Sequence, residues 1–239
     1  MKALMRAALE KIGYDIRDIK DRDCTSSQHI IKNLFSADAV ITIFDVGAHI
    51  GQSATYYKST FKNSNIYSFE PFQNSFEILK RLNLINFKAY NLGLSDKKGV
   101  ESFCSNEGSA TNSLLSLSLS AKETWDGNKW LSQVERVDCE FTTLDDFCDE
   151  NNVEFIDFMK IDVQGAEFRV LKGANRALNE KRIGVIQLEI ILGNTYTGQK
   201  TPGYYIGLLE HYGYKLAYVS DLVFAKGELV QFDLFFKLK

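Results

Sequence analysis

Four carboxylates each follow a short apolar segment of β-strand type in this 239-residue sequence: Asp45, Glu70, Asp162 and Glu189. In open α/β sheets, ligands bind just beyond the carboxyl ends of the strands. Turns favour Asp for conformational reasons, so one such residue means little. Four at the same edge of a sheet predict a binding site there.

The loop after the first strand, residues 45–51, carries two glycines in a G-x-x-x-G spacing. Gly47 permits the backbone to turn, and Gly51 lets the next helix begin close to a ligand. Dinucleotide folds use G-x-G-x-x-G to hold a pyrophosphate, so this spacing disfavours NAD. A ligand with an amino-acid zwitterion suits the loop better, because Asp45 would meet its ammonium group. Helix–strand packing also uses small residues at this spacing.

Glu70 ends the second strand, 19 residues after Gly51. In nucleotide-binding folds, an acidic residue at this place accepts hydrogen bonds from the ribose hydroxyls. A carboxylate offers two acceptor oxygens to two adjacent donors. The loop and Glu70 together therefore predict a nucleoside site.

A candidate catalytic cluster follows at the next strand ends, made of Lys160, Asp162, Glu167 and Glu189. Asp162 and Glu189 end neighbouring strands in the usual order, and two facing carboxylates raise one another's pKa, which gives a base near neutrality. The pair could also bind Mg²⁺; we favour the base. Glu167 begins a helix, where an acidic side chain also suits the positive helix end. His49, in the first loop, is a second candidate base.

The elements that must position these residues alternate between strands and helices. Strands are predicted at 40–44, 65–69, 87–92, 99–104, 134–141, 155–161, 183–188, 215–219, 222–225 and 229–236, and helices near 2–12, 27–35, 52–61, 72–83, 144–150, 166–178 and 204–212. This alternation predicts an α/β, Rossmann-like fold with a mainly parallel sheet, helices on both faces and an antiparallel edge hairpin. We expect a helical extension over 1–38 and one domain over 39–239.

Composition narrows the function classes. Lys and Arg number 28 against 31 Asp and Glu, and no basic stripe is visible, which disfavours nucleic acid as a partner. No apolar run approaches the ~20 residues that span a bilayer, and the N-terminus is unlike a signal peptide, so a cytoplasmic protein is expected. The cysteines lack the close pairs of zinc sites and are predicted to be free thiols: Cys24, Cys104, Cys139 and Cys148.

Several blocks, taken in order, resemble the FkbM family of S-adenosylmethionine (SAM)-dependent methyltransferases. They are FDVGAHIGQ (44–52), FEP (69–71), NLGLSD (91–96), TLDDF (143–147), DFMKIDVQGAE (157–167), LKGA (171–174), QLEI (187–190) and DLFF (233–236). No single block is specific, whereas the combination is. The resemblance covers roughly residues 44 to 236.

This resemblance implies a class I methyltransferase fold with a seven-stranded sheet, SAM as the methyl donor, and most often O-methylation of a sugar or small molecule. The residues that it and the strand-end pattern assign to the cofactor are Asp45, Gly47, Ala48, Gly51, Glu70, Pro71, Leu94, Ser95, Asp96 and Asp162. The family often has Glu where this chain has Gln164. Gln cannot ionise, so a catalytic role for that side chain is not expected.

The acceptor side is less defined. The polar segment 108–114 could bind sugar hydroxyls, close over a site, or be a surface loop. Tyr196, Tyr204 and Tyr205 border a loop that could frame the acceptor, and Trp125 and Trp130 could form a lid or a homodimer contact. We expect O-methylation of a saccharide or secondary metabolite. The alternatives are an N-methyltransferase, an NAD-linked oxidoreductase and a non-catalytic SAM-binding protein.

Overall fold

The computed structural model describes residues 26–125 and 131–239. Its main sheet has seven strands in the order β3-β2-β1-β7-β8-β10-β9. These strands are β1 Thr42–Val46, β2 Asn65–Phe69, β3 Phe87–Tyr90, β7 Ile156–Ile161, β8 Ile183–Ile191, β9 Tyr214–Ala225 and β10 Glu228–Leu238. Strands β3, β2, β1, β7 and β8 run parallel, and β10 pairs antiparallel with both β8 and β9. The predicted mainly parallel sheet with an antiparallel edge hairpin is confirmed.

A second, three-stranded sheet lies beside the first. It comprises β4 Gly93–Leu94, β5 Gly99–Asn106 and β6 Gln133–Thr142, in the order β4-β6-β5. The sequence predicts β5 and β6 as strands that flank the polar segment 108–114, and they pair antiparallel. The separate sheet itself is not evident from the sequence.

Helices cover both faces of the main sheet. They are α1 Ser27–Leu34, α2 Gln52–Thr60, α3 Gln73–Leu79, α4 Ala121–Thr124, α5 Leu144–Glu150, α6 Glu167–Lys172, α7 Asn175–Asn179 and α8 Pro202–His211, with a 3₁₀ turn at Ser109–Thr111. Thr143 caps α5 as predicted, because its Oγ1 accepts the Asp146 N–H at 3.0 Å. No helix in these two described ranges is long and apolar enough to cross a membrane.

Two predicted elements are wrong. The single helix over 166–178 is divided into α6 and α7 at Gly173, whose position leaves no room for a side chain: a Cβ there would lie 2.0 Å from the carbonyl oxygen of Ser95. The two strands predicted at 215–219 and 222–225 are one strand, β9, whose pairing with β10 has register shifts. The helix predicted near 2–12 lies outside the described residues, as does Cys24, whereas the other three cysteines are free and buried.

The two faces of the main sheet have different cores. One face packs Phe44, Met159 and Leu188 against α5, α6, α7 and α8. The other packs Ile43 and Phe158 against α1 and α2, whose buried contributions include Ile30, Ile31, Ala54 and Tyr57. The part of the predicted extension that is described therefore packs on the sheet, where its apolar side chains are removed from water.

A row of polar side chains crosses the α1/α2 face near the carboxyl ends of the strands. Ser68, Asp45, Lys160 and Gln187 are register neighbours on β2, β1, β7 and β8. Gln187 donates in turn to the carboxylate of Asp233 on β10. Cross-strand neighbours share a face of the sheet, so this polar row sits above the apolar core that α1 and α2 cover.

Candidate functional site

A cavity of about 310 Å³ opens at the carboxyl ends of β1, β2 and β7. We refer to it as the larger cavity, because a smaller cavity adjoins it. Its described lining is mostly neutral: Val46, Gly47, Ala48, His49, Gln52, Ser53, Phe69, Glu70, Pro71, Gly93, Leu94, Phe103, Ser109, Ala110, Asn112, Leu114, Phe141, Lys160, Asp162, Val163, Gln164 and Ala166. This volume lies at the lower end of the range of small-molecule sites, which are concave and largely apolar with a few placed polar groups.

The β1–α2 loop forms one wall of the larger cavity. Gly47 has a φ of 82°, and a Cβ on it would lie 1.8 Å from the carbonyl oxygen of Asp162. The turn therefore requires glycine for its conformation and for the close approach of β7. His49 also has a positive φ, of 48°. Its backbone N–H points to Glu70, so the loop is tied to the end of β2.

Glu70 is the carboxylate at the end of β2, and its two oxygens are both anchored. Oε2 accepts the His49 N–H and Oε1 accepts the Phe72 N–H, each at 2.8 Å. Each carboxylate oxygen can accept a further hydrogen bond, so the group can still receive two hydroxyl donors from the cavity. Burial raises the pKa of Glu70 to about 7, against the two backbone N–H bonds that lower it.

Not every predicted cofactor residue reaches this cavity. Gly47, Ala48, Glu70, Pro71, Leu94 and Asp162 line it, whereas Asp45, Gly51, Ser95 and Asp96 do not. Gly51 has a φ of 92°, a backbone conformation that favours glycine, and a Cβ there would also crowd the Leu82 and Leu79 side chains. Asp96 turns away to pair with Arg169 at 2.7 Å, and the Ser95 N–H is bonded to the Thr142 carbonyl.

Asp45 lies beneath the cavity floor. It is fully buried, with Lys160 Nζ 3.9 Å from Oδ1 and the Ser68 hydroxyl 3.5 Å from Oδ2. Oδ1 has no hydrogen-bond partner among the described residues. Burial raises its pKa, although the Lys160 ammonium opposes this. The carboxylate therefore acts on the site through Lys160 rather than from the cavity wall.

Gln164, for which no catalytic role was expected, connects two carboxylates of the predicted catalytic cluster. The Gln164 amide donates to Asp162 Oδ1 at 2.9 Å and to Glu189 Oε2 at 2.6 Å. Lys160 Nζ donates to Asp162 Oδ2 at 2.9 Å, and the Gln231 amide donates to Glu189 Oε1 at 2.8 Å. Asp162 and Glu189 are thus oriented side by side, each by two donors.

The two carboxyls of this pair have opposite pKa shifts. Burial and the facing Asp162 charge raise the pKa of Glu189 well above its usual range. Burial is the largest influence on Asp162 and acts to raise its pKa, but the Lys160 charge and the hydrogen bonds with Glu189, Lys160 and Gln164 together outweigh it and lower the pKa of Asp162. The pKa of Lys160 is itself raised: burial disfavours its charge, but the carboxylates of Asp162 and Asp45 outweigh that effect. Lys160 is therefore a fixed cation, and Glu189 is the basic member of the pair.

Glu167 lies outside both this pair and the larger cavity. Its Oε1 accepts the backbone N–H groups of Val163 and Gly165 at 3.2 and 3.0 Å, and Oε2 accepts the Tyr205 hydroxyl at 3.3 Å. Burial raises its pKa to about 7. These contacts hold the loop between β7 and α6 in place. Glu167 does not line the larger cavity, and its catalytic role stays a prediction.

A second cavity, of about 230 Å³, adjoins the first. We refer to it as the acidic cavity. Its described lining comprises Ser27, Gln28, Ile31, Gln52, Ser53, Tyr56, Tyr57, Lys160, Asp162, Gln187, Glu189, Asp221, Gln231 and Asp233. Four of these, Gln52, Ser53, Lys160 and Asp162, also line the larger cavity. The Asp162–Glu189 pair therefore lies at the boundary between the two.

The polar segment 108–114 lies against the larger cavity. Ser109, Ala110 and Asn112 line it, and the Ser109 hydroxyl is 2.8 Å from His49 Nε2. Tyr196 fastens the segment, because its hydroxyl lies 2.8 Å from the Thr111 carbonyl oxygen and 3.0 Å from Gln164 Oε1. Of the three interpretations of this segment, closure over a site agrees best with these contacts.

Other predicted acceptor residues are placed elsewhere. Neither Tyr204 nor Tyr205 lines either cavity. Trp125 donates to the Thr195 hydroxyl at 2.7 Å, and Trp130 lies outside the described residues. In the part of the chain that the structure describes, no group of three or more His, Cys, Asp or Glu side chains is arranged to hold a metal ion.

Sequence reasoning missed several residues that line the acidic cavity, among them Gln187, Gln231 and Asp233. Each interrupts an apolar strand, in IGVIQLEI and LVQFDLFF. Gln187 and Glu189 are two apart on β8, as Gln231 and Asp233 are on β10, so each pair shares a face. This alternation could have identified them, since a polar residue inside an otherwise apolar strand indicates a polar environment at that point.

Comparisons with known proteins agree on the class of protein. A model of the methyltransferase FkbM domain matches residues 45–216, which is more than half of the chain. The chain is similar to methyltransferase sdnD of Sordaria araneosa, with 29% identity over 155 residues that cover 56% of this chain and 60% of sdnD. It is also similar to the 2-O-methyltransferase NoeI of Sinorhizobium fredii, with 26% identity over 177 residues, 72% of this chain and 71% of NoeI. The matched part thus spans about three fifths of sdnD.

Solved structures agree on the fold. The methyltransferase domain of METTL16 superposes with a TM-score of 0.50 at 13% identity, covering 88% of this chain and 66% of that domain. At such identities a likeness concerns the fold alone, and the predicted class I methyltransferase fold is confirmed.

Proposed function

Because this chain belongs to the FkbM family of SAM-dependent methyltransferases, we propose that it transfers the methyl group of SAM to a hydroxyl of a saccharide or small secondary metabolite. The observation that carries the proposal is the Asp162–Glu189 pair at the boundary between a mostly neutral cavity and an acidic one. Such a boundary suits a proton acceptor that works between a cofactor and an acceptor molecule. The name of NoeI, a 2-O-methyltransferase, agrees with oxygen as the methylated atom.

The residues of the larger cavity fit SAM. Glu70 offers two oxygens to ribose hydroxyls, and Leu94, Phe103 and Phe141 provide apolar surface for an adenine. The glycine turn at Gly47 keeps the loop backbone close to β7 without a side chain in the way. Lys160 is the one Lys or Arg among the described lining residues, and it is already paired with Asp162, so the cavity is poorly suited to a pyrophosphate.

SAM, when bound, supplies a methyl group already activated on a sulfonium, so the protein's task is to orient the acceptor and remove its proton. In our proposal, Glu189 accepts the proton of the attacking hydroxyl. Its raised pKa makes it a stronger base than an exposed glutamate once it is ionised. The amides of Gln164 and Gln231 hold both of its oxygens, so the carboxylate is oriented before the acceptor arrives.

Two competing assignments at this site are weaker. A divalent cation on Asp162 and Glu189 would lie beside the Lys160 ammonium, which already bonds Asp162 at 2.9 Å. Like-charge repulsion would oppose such a cation. His49 lines the larger cavity, and burial lowers its pKa, so its ring is neutral at pH 7. It remains the second candidate base, because a neutral imidazole can accept a proton.

The test is methyl transfer from labelled SAM to a panel of saccharides and small alcohols, with the methylated atom located by NMR. We expect a methyl ether. Glu189→Gln should lower kcat by about 10² to 10⁴, the usual contribution of a general base, and leave the affinity for S-adenosylhomocysteine (SAH) within threefold. Glu228→Gln is the matched control, since Glu228 is exposed and lines neither cavity.

Three results would contradict the proposal in different ways. Binding of NAD without binding of SAH would exclude the cofactor. Methylation of nitrogen would exclude the acceptor class. Full activity of Glu189→Gln together with a large loss in His49→Gln would move the base to the first loop.

A further inference from the structure

The acidic cavity has a wall that the proposed chemistry does not use. Its far side is formed by β8, β9 and β10, and its near side by α1 and α2. Glu189, Gln231 and the edge shared with the larger cavity take part in the assignments above. The rest, which includes Gln187, Asp221 and Asp233, has no role in holding SAM or moving the proton.

The charges of this cavity are predominantly negative. Its described lining contains four carboxyl groups, from Asp162, Glu189, Asp221 and Asp233, against the ammonium of Lys160. That ammonium is already paired with Asp162 and lies near Asp45. Burial raises the pKa of Glu189 and of Asp233 and so favours their protonated forms, and Asp162 is paired with Lys160, so a negatively charged ligand would be repelled mainly by Asp221 and by the ionised fraction of Asp233. Hydroxyl and ammonium groups would meet acceptor oxygens.

An unsatisfied acceptor also lies in this wall. Gln187 is only 3% exposed, and it lines the acidic cavity. Its amide nitrogen donates to Asp233, but its Oε1 has no hydrogen-bond partner among the described residues. A buried amide oxygen without a donor is costly, and buried polar atoms in folded proteins are nearly always bonded. This oxygen therefore indicates a ligand that brings a donor group.

We propose that the acidic cavity binds the methyl acceptor, and that this acceptor is a polyhydroxylated molecule without negative charge, either a neutral saccharide or an amino sugar. The inference rests on the proposed function, because it places the acceptor beside the Glu189 base. Gln187 Oε1 and the carboxylates of Asp221 and Asp233 accept hydrogen bonds from the ring substituents. Sugars that carry phosphate, including nucleoside diphosphate sugars, are rejected by the same carboxylates.

Helix α1 lies at the opening of this cavity. Gln28 is exposed and also lines the acidic cavity, so its side chain stands at the mouth. The helix is held there by two bonds: the Ser27 N–H donates to Asp221 Oδ2 at 2.9 Å, and the Tyr56 hydroxyl donates to the Gln28 carbonyl at 2.6 Å. A large side chain at position 28 should close the mouth without disturbing these contacts.

The experiment measures sugar binding to the full chain saturated with SAH, by saturation-transfer NMR and calorimetry. The probes are methyl glycosides of neutral hexoses, 6-deoxyhexoses and pentoses, the 2-amino hexoses, and the 1- and 6-phosphates of the same sugars. We expect at least one neutral or amino sugar to bind, and its phosphate to bind at least tenfold more weakly. Gln28→Trp should weaken binding at least tenfold and leave SAH affinity unchanged. Lys32→Trp, one turn along α1, exposed and outside the lining, should change neither.

A second variant tests the charge rule separately. Asp221→Asn removes one carboxylate of the acidic cavity and should raise the affinity for the sugar phosphate about threefold or more. Asp138→Asn, an exposed carboxylate on β6, should not. Tighter binding of phosphates than of neutral sugars, an unchanged affinity in Gln28→Trp, or SAH-loaded protein that binds no sugar would each overturn the inference. Failure of SAH itself to bind would instead count against the proposed function.

Discussion

The two adjoining cavities are built in different ways. The larger cavity is formed mainly by loop backbone and neutral side chains, with Glu70 as the carboxylate that its main-chain N–H groups hold in place. The acidic cavity is formed by side chains from distant segments, four of them carboxyl groups. Under the proposed function, recognition in the larger cavity would depend on backbone shape. Recognition in the acidic cavity would depend on charge, and burying its carboxyl groups costs stability.

The largest expected effect comes from disturbing the backbone shape of the larger cavity. Gly47→Ala puts a Cβ 1.8 Å from the Asp162 carbonyl oxygen, in a turn that also has a positive φ. Because backbone must move, we expect SAH affinity to fall more than about 100-fold and stability to fall by about 2–4 kcal/mol. Calorimetric titration with SAH and urea unfolding measure the two effects.

Gly227→Ala is the matched control for this prediction. Gly227 has a φ of 81°, yet nothing lies within 4 Å of the Cβ it would gain. It should therefore show only the cost of a left-handed alanine, about 1–2 kcal/mol, and unchanged SAH affinity. Equal losses in the two variants would mean that strain, and not the approach of β7, makes Gly47 necessary.

The next effect concerns the carboxylate of the larger cavity. Glu70→Gln keeps one acceptor oxygen and loses the other, so we expect SAH affinity to fall about 10- to 100-fold. Burial raises the pKa of Glu70 to about 7, so the ionised form that accepts two hydroxyls is lost as the pH falls through 7. SAH affinity of the parent should therefore weaken from pH 8 to pH 6, and that slope should vanish in Glu70→Gln. A slope that persists would assign the titration to another group.

How much the sequence predicts differs between the two cavities for the same reason. The turn at Gly47, Glu70 and the mainly parallel sheet are local patterns, because each depends on neighbouring residues at the end of one strand. The acidic cavity depends on Gln28, Asp221 and Asp233, which come together only through α1, β9 and β10. No spacing in the chain encodes their proximity.

The errors in the sequence-based predictions have equally physical origins. Gly173 lies between α6 and α7, packs against the Ser95 carbonyl and accepts the Asp145 N–H, so residues distant in sequence engage the backbone where the predicted helix divides. Asp96, which the sequence assigns to the cofactor, does not line the larger cavity and pairs with Arg169, whose guanidinium also bonds Glu101. In both places a tertiary contact overrides a local pattern that is otherwise sound.

A smaller effect should show how far a buried charge in the acidic cavity lowers the free energy of unfolding. Burial raises the pKa of Asp233 to about 7, so its carboxyl favours the folded state at low pH, and that stability is lost as the pH rises from about 4 through 7. Asp233→Asn should therefore raise the free energy of unfolding by about 1–3 kcal/mol at pH 8 and by only about a third of that at pH 5. Urea unfolding at the two pH values measures this, with exposed Asp138→Asn as the control. Equal effects at both pH values would exclude the charge as the cause.

The smallest expected effect lies at the boundary between the cavities. Gln164 donates one amide to both Asp162 and Glu189, and its Oε1 faces the Tyr196 hydroxyl. Gln164→Glu keeps the contact with Tyr196, removes the donor and adds a third carboxylate. The pKa of the Asp162–Glu189 pair should rise, so the pH at half-maximal kcat should move up by about one unit. Gln164→Met removes the amide without adding charge and separates the two causes. A shift in both variants would assign the effect to the lost hydrogen bonds. A shift in Gln164→Glu alone would assign it to the added negative charge.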